Sequence, residues 1–265
     1  MAEFPDIRSV EPDLVTPAMV DGEPGPGRRA RQSIPAYGGM AVHHALYLPR
    51  DWTARRRYPV IAEYAGNGNY KNNYGDISNG TVDGSNLGYG LSGGAGFIWI
   101  CLPYVNPAGA NETIWWGDAD ATAAYARGAI RMLVERYQAD AARVVLAGFS
   151  RGAIGCNYIG LRDGETAKLW RAFFAYSHYD GVRHWPYADS DRVSARLRLE
   201  RLRERPAYIC HEASVEAARK YIHEMDVPGD FTFDTIAFRN HNDAWTLRDI
   251  PERRRARAWL KKVTT

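Results

Sequence analysis

The stretch VVLAGFSRGAIG places Gly148, Phe149, Ser150, Arg151 and Gly152 in the spacing G-x-S-x-G. A serine hydroxyl is a weak nucleophile until a base removes its proton, so chemistry at Ser150 needs a partner and an exposed position. A sharp strand-to-helix turn supplies the exposure. Glycines on both sides of the serine remove the Cβ atoms that would clash as strand and helix close on each other. Here a β-branched apolar run enters the motif and a small-residue, apolar run leaves it. Such a turn aims the helix N-terminus and the backbone N–H of Arg151 at the reacting centre. The chemistry this arrangement serves is attack on a carbonyl carbon with stabilisation of the resulting oxyanion. The cysteines offer no rival. Cys101, Cys156 and Cys210 are odd in number, contain no CxxC, and lie among apolar or glycine-rich neighbours. They read as buried thiols rather than a disulfide framework or a metal site.

The elements that must hold Ser150 can be read from periodicity. Residues 40–49, 58–64 (YPVIAEY), 97–103 (FIWICLP), 143–147 (RVVLA), 173–176, 207–210 and 231–238 read as strands, most of them short apolar runs. Residues 118–137, 150–161, 213–225 and 249–263 read as helices, with Asp118 and Asp120 as N-cap and first-turn acid of the first. Strands alternating with helices predict an α/β fold with a mostly parallel sheet covered on both faces, a three-layer sandwich. Residues 1–39, rich in Pro, Gly and charge, read as an extended N-terminal arm, and 40–265 as one domain. The Gly/Asn-rich insertion at about 66–96 is too long for an ordinary connection; it is either partly helical or functional, as a lid or a wall of the cleft.

Composition narrows the class. With 265 residues, 45% hydrophobic and 25% charged, the chain has the make-up of an ordinary globular protein. No apolar run approaches the ~18 residues a membrane span needs. Of the 34 basic residues only Lys71, Lys168, Lys220, Lys261 and Lys262 are lysines, and a net charge of +3 is far from a nucleic-acid binder's basic stripe. The N-terminus lacks the basic and apolar regions of a secretory leader, which points to the cytoplasm.

At the motif the chain resembles the α/β-hydrolase superfamily, and within it the serine esterases related to polyhydroxybutyrate depolymerases, feruloyl esterases and acetyl xylan esterases. The resemblance spans roughly residues 40–263. It rests on ALYLP, RYPVIAEYAGNG, RVVLAGFSRGAIG and NHNDAW in that order. It implies the α/β-hydrolase fold, a Ser-acid-His triad in that chain order, and a small-molecule or polymeric ester as substrate. It implies no cofactor or metal, and no nucleic-acid or membrane partner.

The resemblance assigns the base to His241, between the last strand and the last helix. His43, His44, His211 and His223 lie elsewhere, while His178 and His184 could line the pocket. The acid departs from the family pattern. After the strand AYIC, where relatives carry Gly-Glu-x-Asp, this chain has Cys210, His211, Glu212, Ala213 and Ser214, with serine at the usual aspartate position. Glu212 is the first candidate and Asp180 the alternative. A glutamate can orient an imidazole as an aspartate does. Arg151 and either Gly66 or Asn67 would supply the oxyanion-hole N–H groups. Trp115, Trp116, Tyr89, Tyr104 and Trp185 are the aromatic candidates for contacting substrate. A peptidase or thioesterase would share this machinery, because fold and triad do not fix the substrate. A non-catalytic binding protein on the same fold would explain the missing aspartate.

Overall fold

A computed structural model of the protein describes residues 4–265. Nine strands form the main sheet: β1 (Met19–Val20), β2 (Arg29–Gln32), β3 (His44–Tyr47), β4 (Tyr58–Tyr64), β5 (Ile98–Leu102), β6 (Ala139–Phe149), β7 (Ala172–Tyr176), β8 (Pro206–Glu212) and β9 (Asp230–Ile236). Their order is β1-β2-β3-β5-β4-β6-β7-β8-β9. From β5 to β9 every pairing is parallel, while β3 runs antiparallel to both β2 and β5.

Alternation along the strands sorts side chains into two cores, one on each face. Val60, Ala62, Ile98, Ile100, Val144, Leu146, Phe173 and Ala175 face one core. Ile61, Trp99, Val145, Ala147, Ala172 and Phe174 face the other. Helices α2 (Ala119–Arg136) and α3 (Arg151–Tyr158) cover the first, through residues such as Ala126, Leu133 and Ile154. Helices α1 (Leu87–Ser92) and α7 (Pro251–Thr264) cover the second, through Leu87, Leu91, Trp259 and Leu260. Burial on both faces is why the central strands are near-continuous apolar runs, with Glu63 of β4 a buried exception. Three further helices complete the layers: α4 (Gly164–Ala167), α5 (Arg192–Leu199) and α6 (Glu216–Met225). Asp118 caps α2 by accepting the N–H groups of Asp120 and Ala121.

Three departures from the sequence reading matter for the site. The N-terminal segment is not a free arm: β1 and β2 extend the sheet edge, and a 3₁₀ turn at Ile7–Ser9 carries a buried Ile7. Strands of two and four residues are too short to display an alternation. The first three residues of the expected arm lie outside the described residues. The Gly/Asn-rich insertion divides into a small hairpin, pairing Tyr70–Lys71 with Ile77–Ser78, and helix α1, whose residues 87–91 are all buried. Its second half is therefore core rather than lid. Helix α5 was hidden in the arginine-rich run 192–199, whose apolar residues Val193, Ala195, Leu197 and Leu199 alternate at period two rather than at helical spacing. Among the described residues no helix is long and apolar enough to cross a membrane.

Candidate active site

Ser150 stands between the end of β6 and the start of α3 at φ 54° and ψ −113°. That backbone is costly for a residue with a Cβ, of order 1–3 kcal/mol. It is held by a hydrogen bond from Ser150 N–H to the Tyr176 carbonyl at 2.9 Å. The flanking glycines are required by close approach. A Cβ on Gly148 would collide with the backbone of Gly152, and a Cβ on Gly152 with the Tyr64 carbonyl.

Three strand ends then deliver the partners. His241, in the loop after β9, places Nε2 3.0 Å from Ser150 Oγ. Its Nδ1 lies 2.7 Å from Oε1 of Glu212, the last residue of β8. Ser177, directly after β7, sits 2.8 Å from His241 Nδ1, and its hydroxyl donates to Glu212 Oε1 at 3.0 Å. Ser177 is fully buried and holds a positive φ of 84°. The Nδ1–H of His241 can thus be shared between Glu212 and Ser177, which fixes Nε2 as the acceptor for Ser150. Burial pushes the Glu212 carboxyl up, but the hydrogen bond from His241 and the neighbouring imidazoles outweigh it and hold it below the usual glutamate range.

Asp180 is elsewhere. Its buried carboxylate is held by Arg198 at 2.8 and 3.1 Å, with the Tyr187 hydroxyl at 3.4 Å. A carboxylate so engaged is not free to orient an imidazole. Asp243, two residues beyond His241, accepts from Asn86 rather than from the imidazole.

A cleft of about 150 Å³ opens over Ser150, walled by Asn67, Tyr70, Trp115, His178, Trp185 and His241 and also lined by Arg151. Arg151 begins α3, so its backbone N–H has no acceptor inside the helix. Asn67 lines this cleft, whereas Gly66 lines a neighbouring polar hollow and is pressed against the Phe149 ring. The Gly68 N–H is occupied by the Thr113 carbonyl at 2.7 Å. The Asn67 side chain accepts from Trp115 N–H at 2.8 Å, tying the two walls together. The Arg151 guanidinium is buried, donates to the carbonyls of Trp115 (2.6 Å) and Gly80 (3.2 Å), and stacks over Tyr104 at 3.9 Å.

Of the five aromatic candidates, Trp115 and Trp185 line the cleft, their ring centroids 5.6 Å apart. The other three are corrected to core positions. Trp116 stacks on Tyr158, Tyr104 packs on Tyr64 and donates to the Ala65 carbonyl, and Tyr89 lies against Tyr47 and Trp99. Adjacent residues of a WW pair point to different surroundings, which a sequence pattern does not reveal. The sequence reading passed over Tyr70, whose ring packs 4.7 Å from that of His241. It also passed over Asp76, which accepts from His241 N–H at 3.0 Å and from the amides of Asn72, Asn240 and Asn242 at 2.7, 3.0 and 2.6 Å. The one available signal was the pair of asparagines flanking His241.

No family model matches the sequence, and no curated protein matches it. Solved structures do. A thermostable esterase superposes with a TM-score of 0.52 at 16% identity, over 88% of this chain and 62% of that chain. The dipeptidyl peptidase 4 of Porphyromonas gingivalis gives 0.53 at 16% identity, over 89% of this chain and 35% of that one. An S-formylglutathione hydrolase from Agrobacterium tumefaciens gives 0.55 at 12% identity, over 84% and 89%. The chain therefore spans less than two thirds of the esterase and about a third of the peptidase. At these identities the likeness speaks for architecture alone. Together with the strand order and the strained serine at the end of β6, it establishes that this chain has the α/β-hydrolase fold.

Proposed function

We propose that the protein is a serine hydrolase that cleaves a carboxylic ester through an acyl-enzyme. The observation that carries this reading is the continuous hydrogen-bonded line from Ser150 Oγ through His241 to Glu212, opening into a cleft with a free helix N-terminus. Ser150 attacks the ester carbonyl and His241 Nε2 takes its proton. The N–H groups of Arg151 and Asn67 receive the oxyanion. The carbonyl–alcohol bond breaks as His241 returns the proton to the leaving oxygen. Water then repeats the cycle on the acyl-Ser150, releasing the acid. Glu212 keeps the imidazole in the productive tautomer and stabilises the imidazolium, with Ser177 as a positioning residue beside it. Trp115 and Trp185 offer faces against which the substrate's apolar part packs.

Glu212 Oε1 at 2.7 Å from His241 Nδ1 supports this reading over a non-catalytic binding protein on the same fold. Turnover of p-nitrophenyl acetate and covalent labelling by a fluorophosphonate test the proposal. Wild-type protein is expected to do both. Ser150→Ala should lose labelling entirely, and Glu212→Gln should lose about 10³-fold or more in kcat. A folded wild-type protein inert to both reagents overturns the reading.

A further inference from the structure

The arginine-rich run 196–205 (RLRLERLRER) takes no part in the Ser150 cleft. Two of its arginines are committed to carboxylates, Arg196 to Glu200 at 3.4 Å and Arg198 to Asp180 at 2.8 Å. Among the described residues no carboxylate pairs with Arg201, Arg203 or Arg205. Together with Lys168, Gly164, Ala167 and Trp170, these three line a hollow of about 320 Å³, far above the ~15 Å³ that admits one water. Gly164, Lys168 and Arg203 are exposed, so the hollow opens to solvent. No carboxylate lines it. Of the nearby acids, Glu165 pairs with Lys168 at 2.7 Å, and the exposed Glu204 lies outside the lining. Trp170 precedes β7 and the three arginines precede β8, whereas Ser150, Ser177 and Glu212 stand at strand ends. The hollow therefore lies at the opposite edge of the parallel sheet from the triad.

Hydrogen bonds fix where the Arg205 guanidinium stands. It donates to the carbonyls of Ala167 and Trp170, both in the lining, and to those of Arg201 and Leu202. Every one of these acceptors is neutral, so its charge stays uncompensated. Burial and the nearby Arg203 charge lower its pKa accordingly. Arg201 donates to the Leu161 carbonyl at 3.1 Å and keeps its other donors uncommitted. Arg203 adds a separate observation. Its backbone holds φ 56° and ψ −137°, close to the conformation of Ser150. It is the first central residue of a turn that the Arg205 N–H closes on the Leu202 carbonyl at 3.3 Å, a place that favours glycine. An arginine there is costly to the backbone, and its side chain makes no hydrogen bond within the described residues that would offset the cost.

Three guanidiniums and an ammonium around one open hollow call for an anion of more than one charge, and guanidinium forks match the oxygens of a phosphate. Trp170 is buried, with its indole N–H given to the Gly160 carbonyl at 3.0 Å, so the hollow offers no aromatic face to a base or sugar. We infer that this hollow binds a compact multivalent oxyanion of the diphosphate type. Arg201 and Arg203 are its ligands, and Arg205 is the fixed charge beside them. The site is independent of the ester-hydrolase reading above.

Calorimetric titration of the full chain with sodium diphosphate at low salt tests this. Wild-type protein should bind saturably, more tightly than it binds monophosphate, and the affinity should fall as salt rises. Arg203→Gly and Arg201→Gln should each weaken binding about tenfold or more, as losing a charge-assisted hydrogen bond does. Glycine suits the turn at 203, so the Tm of Arg203→Gly should stay at or above that of wild type, which separates lost binding from lost fold. No saturable binding by wild-type protein overturns the inference, as does full affinity in either variant. Equal affinity for monophosphate and diphosphate overturns the multivalent class. Heparin binding that depends on Arg203, with none for diphosphate, assigns the patch to an extended polyanion and overturns the compact ligand.

Discussion

Asp76 accepts four hydrogen bonds, from the backbone of His241 and from three asparagine side chains. Burial raises its pKa, and those donors more than offset that, so it stays an anion. It thereby fixes the loop that presents the imidazole, although it touches no reacting atom. In Asp76→Asn an NH₂ group would face donors in place of an acceptor, leaving buried groups unpaired at about 1–3 kcal/mol each. The expected result is a fall of about 10- to 100-fold in kcat with KM little changed, together with a lower Tm. An unaltered kcat would show that the loop holds itself. Ser150 and its glycines were legible because a strained turn demands particular residue types at fixed spacing. Glu212 was legible only as the nearest carboxylate after a strand. Asp76 and Ser177 were not legible, because what defines them is three-dimensional convergence from segments 64 to 165 residues away from His241.

At the scale of elements, β4 carries an acid where alternation calls for an apolar residue. Glu63 is wholly buried and accepts the first N–H groups of α1, Gly88 at 2.8 Å and Leu87 at 3.3 Å, and the Trp99 indole at 2.8 Å. Burial, with Asp243 close by, pushes its carboxyl from an ordinary 4.5 up to about 8. The sign of the pH effect follows. Between those two values the folded chain retains a proton that the unfolded chain has released, so stability falls as pH rises and levels off above about 8. The slope from this group is at most about 1.4 kcal/mol per pH unit. Glu63→Gln, uncharged in both states, should flatten the decline measured by urea unfolding between pH 5 and 8; an unchanged slope would place the proton elsewhere. The same element explains why the Gly/Asn-rich segment could be read only as partly helical or functional: α1 finds its partners in Glu63 and the second core rather than in its own periodicity.

On the scale of the whole molecule, residues 5–13 meet the segment 239–253 that carries His241. The Ile7 N–H donates to Asn240 Oδ1 at 2.7 Å, the Arg239 N–H to the Pro5 carbonyl at 3.2 Å, and Arg248 to the Val10 carbonyl at 2.7 Å. Arg253, buried in α7, pairs with Asp13 at 2.6 Å. Deleting residues 1–14 should therefore lower kcat for p-nitrophenyl acetate at least about tenfold while the far-UV spectrum keeps the sheet and helix signature; full activity would reduce the strap to packing. The central strands and their helices were readable because each is a local pattern of ten to twenty residues. This strap was not, because the Ile7–Asn240 bond joins positions 233 apart in sequence. Closure over such a separation is entropically late. Under the proposed reading, a chain folded as far as Ser150 but not yet joined by residue 241 would hold the serine without its imidazole partner, and the hydrogen-bonded line from Ser150 to Glu212 would close only as segments 5–13 and 239–253 come together on the finished sheet.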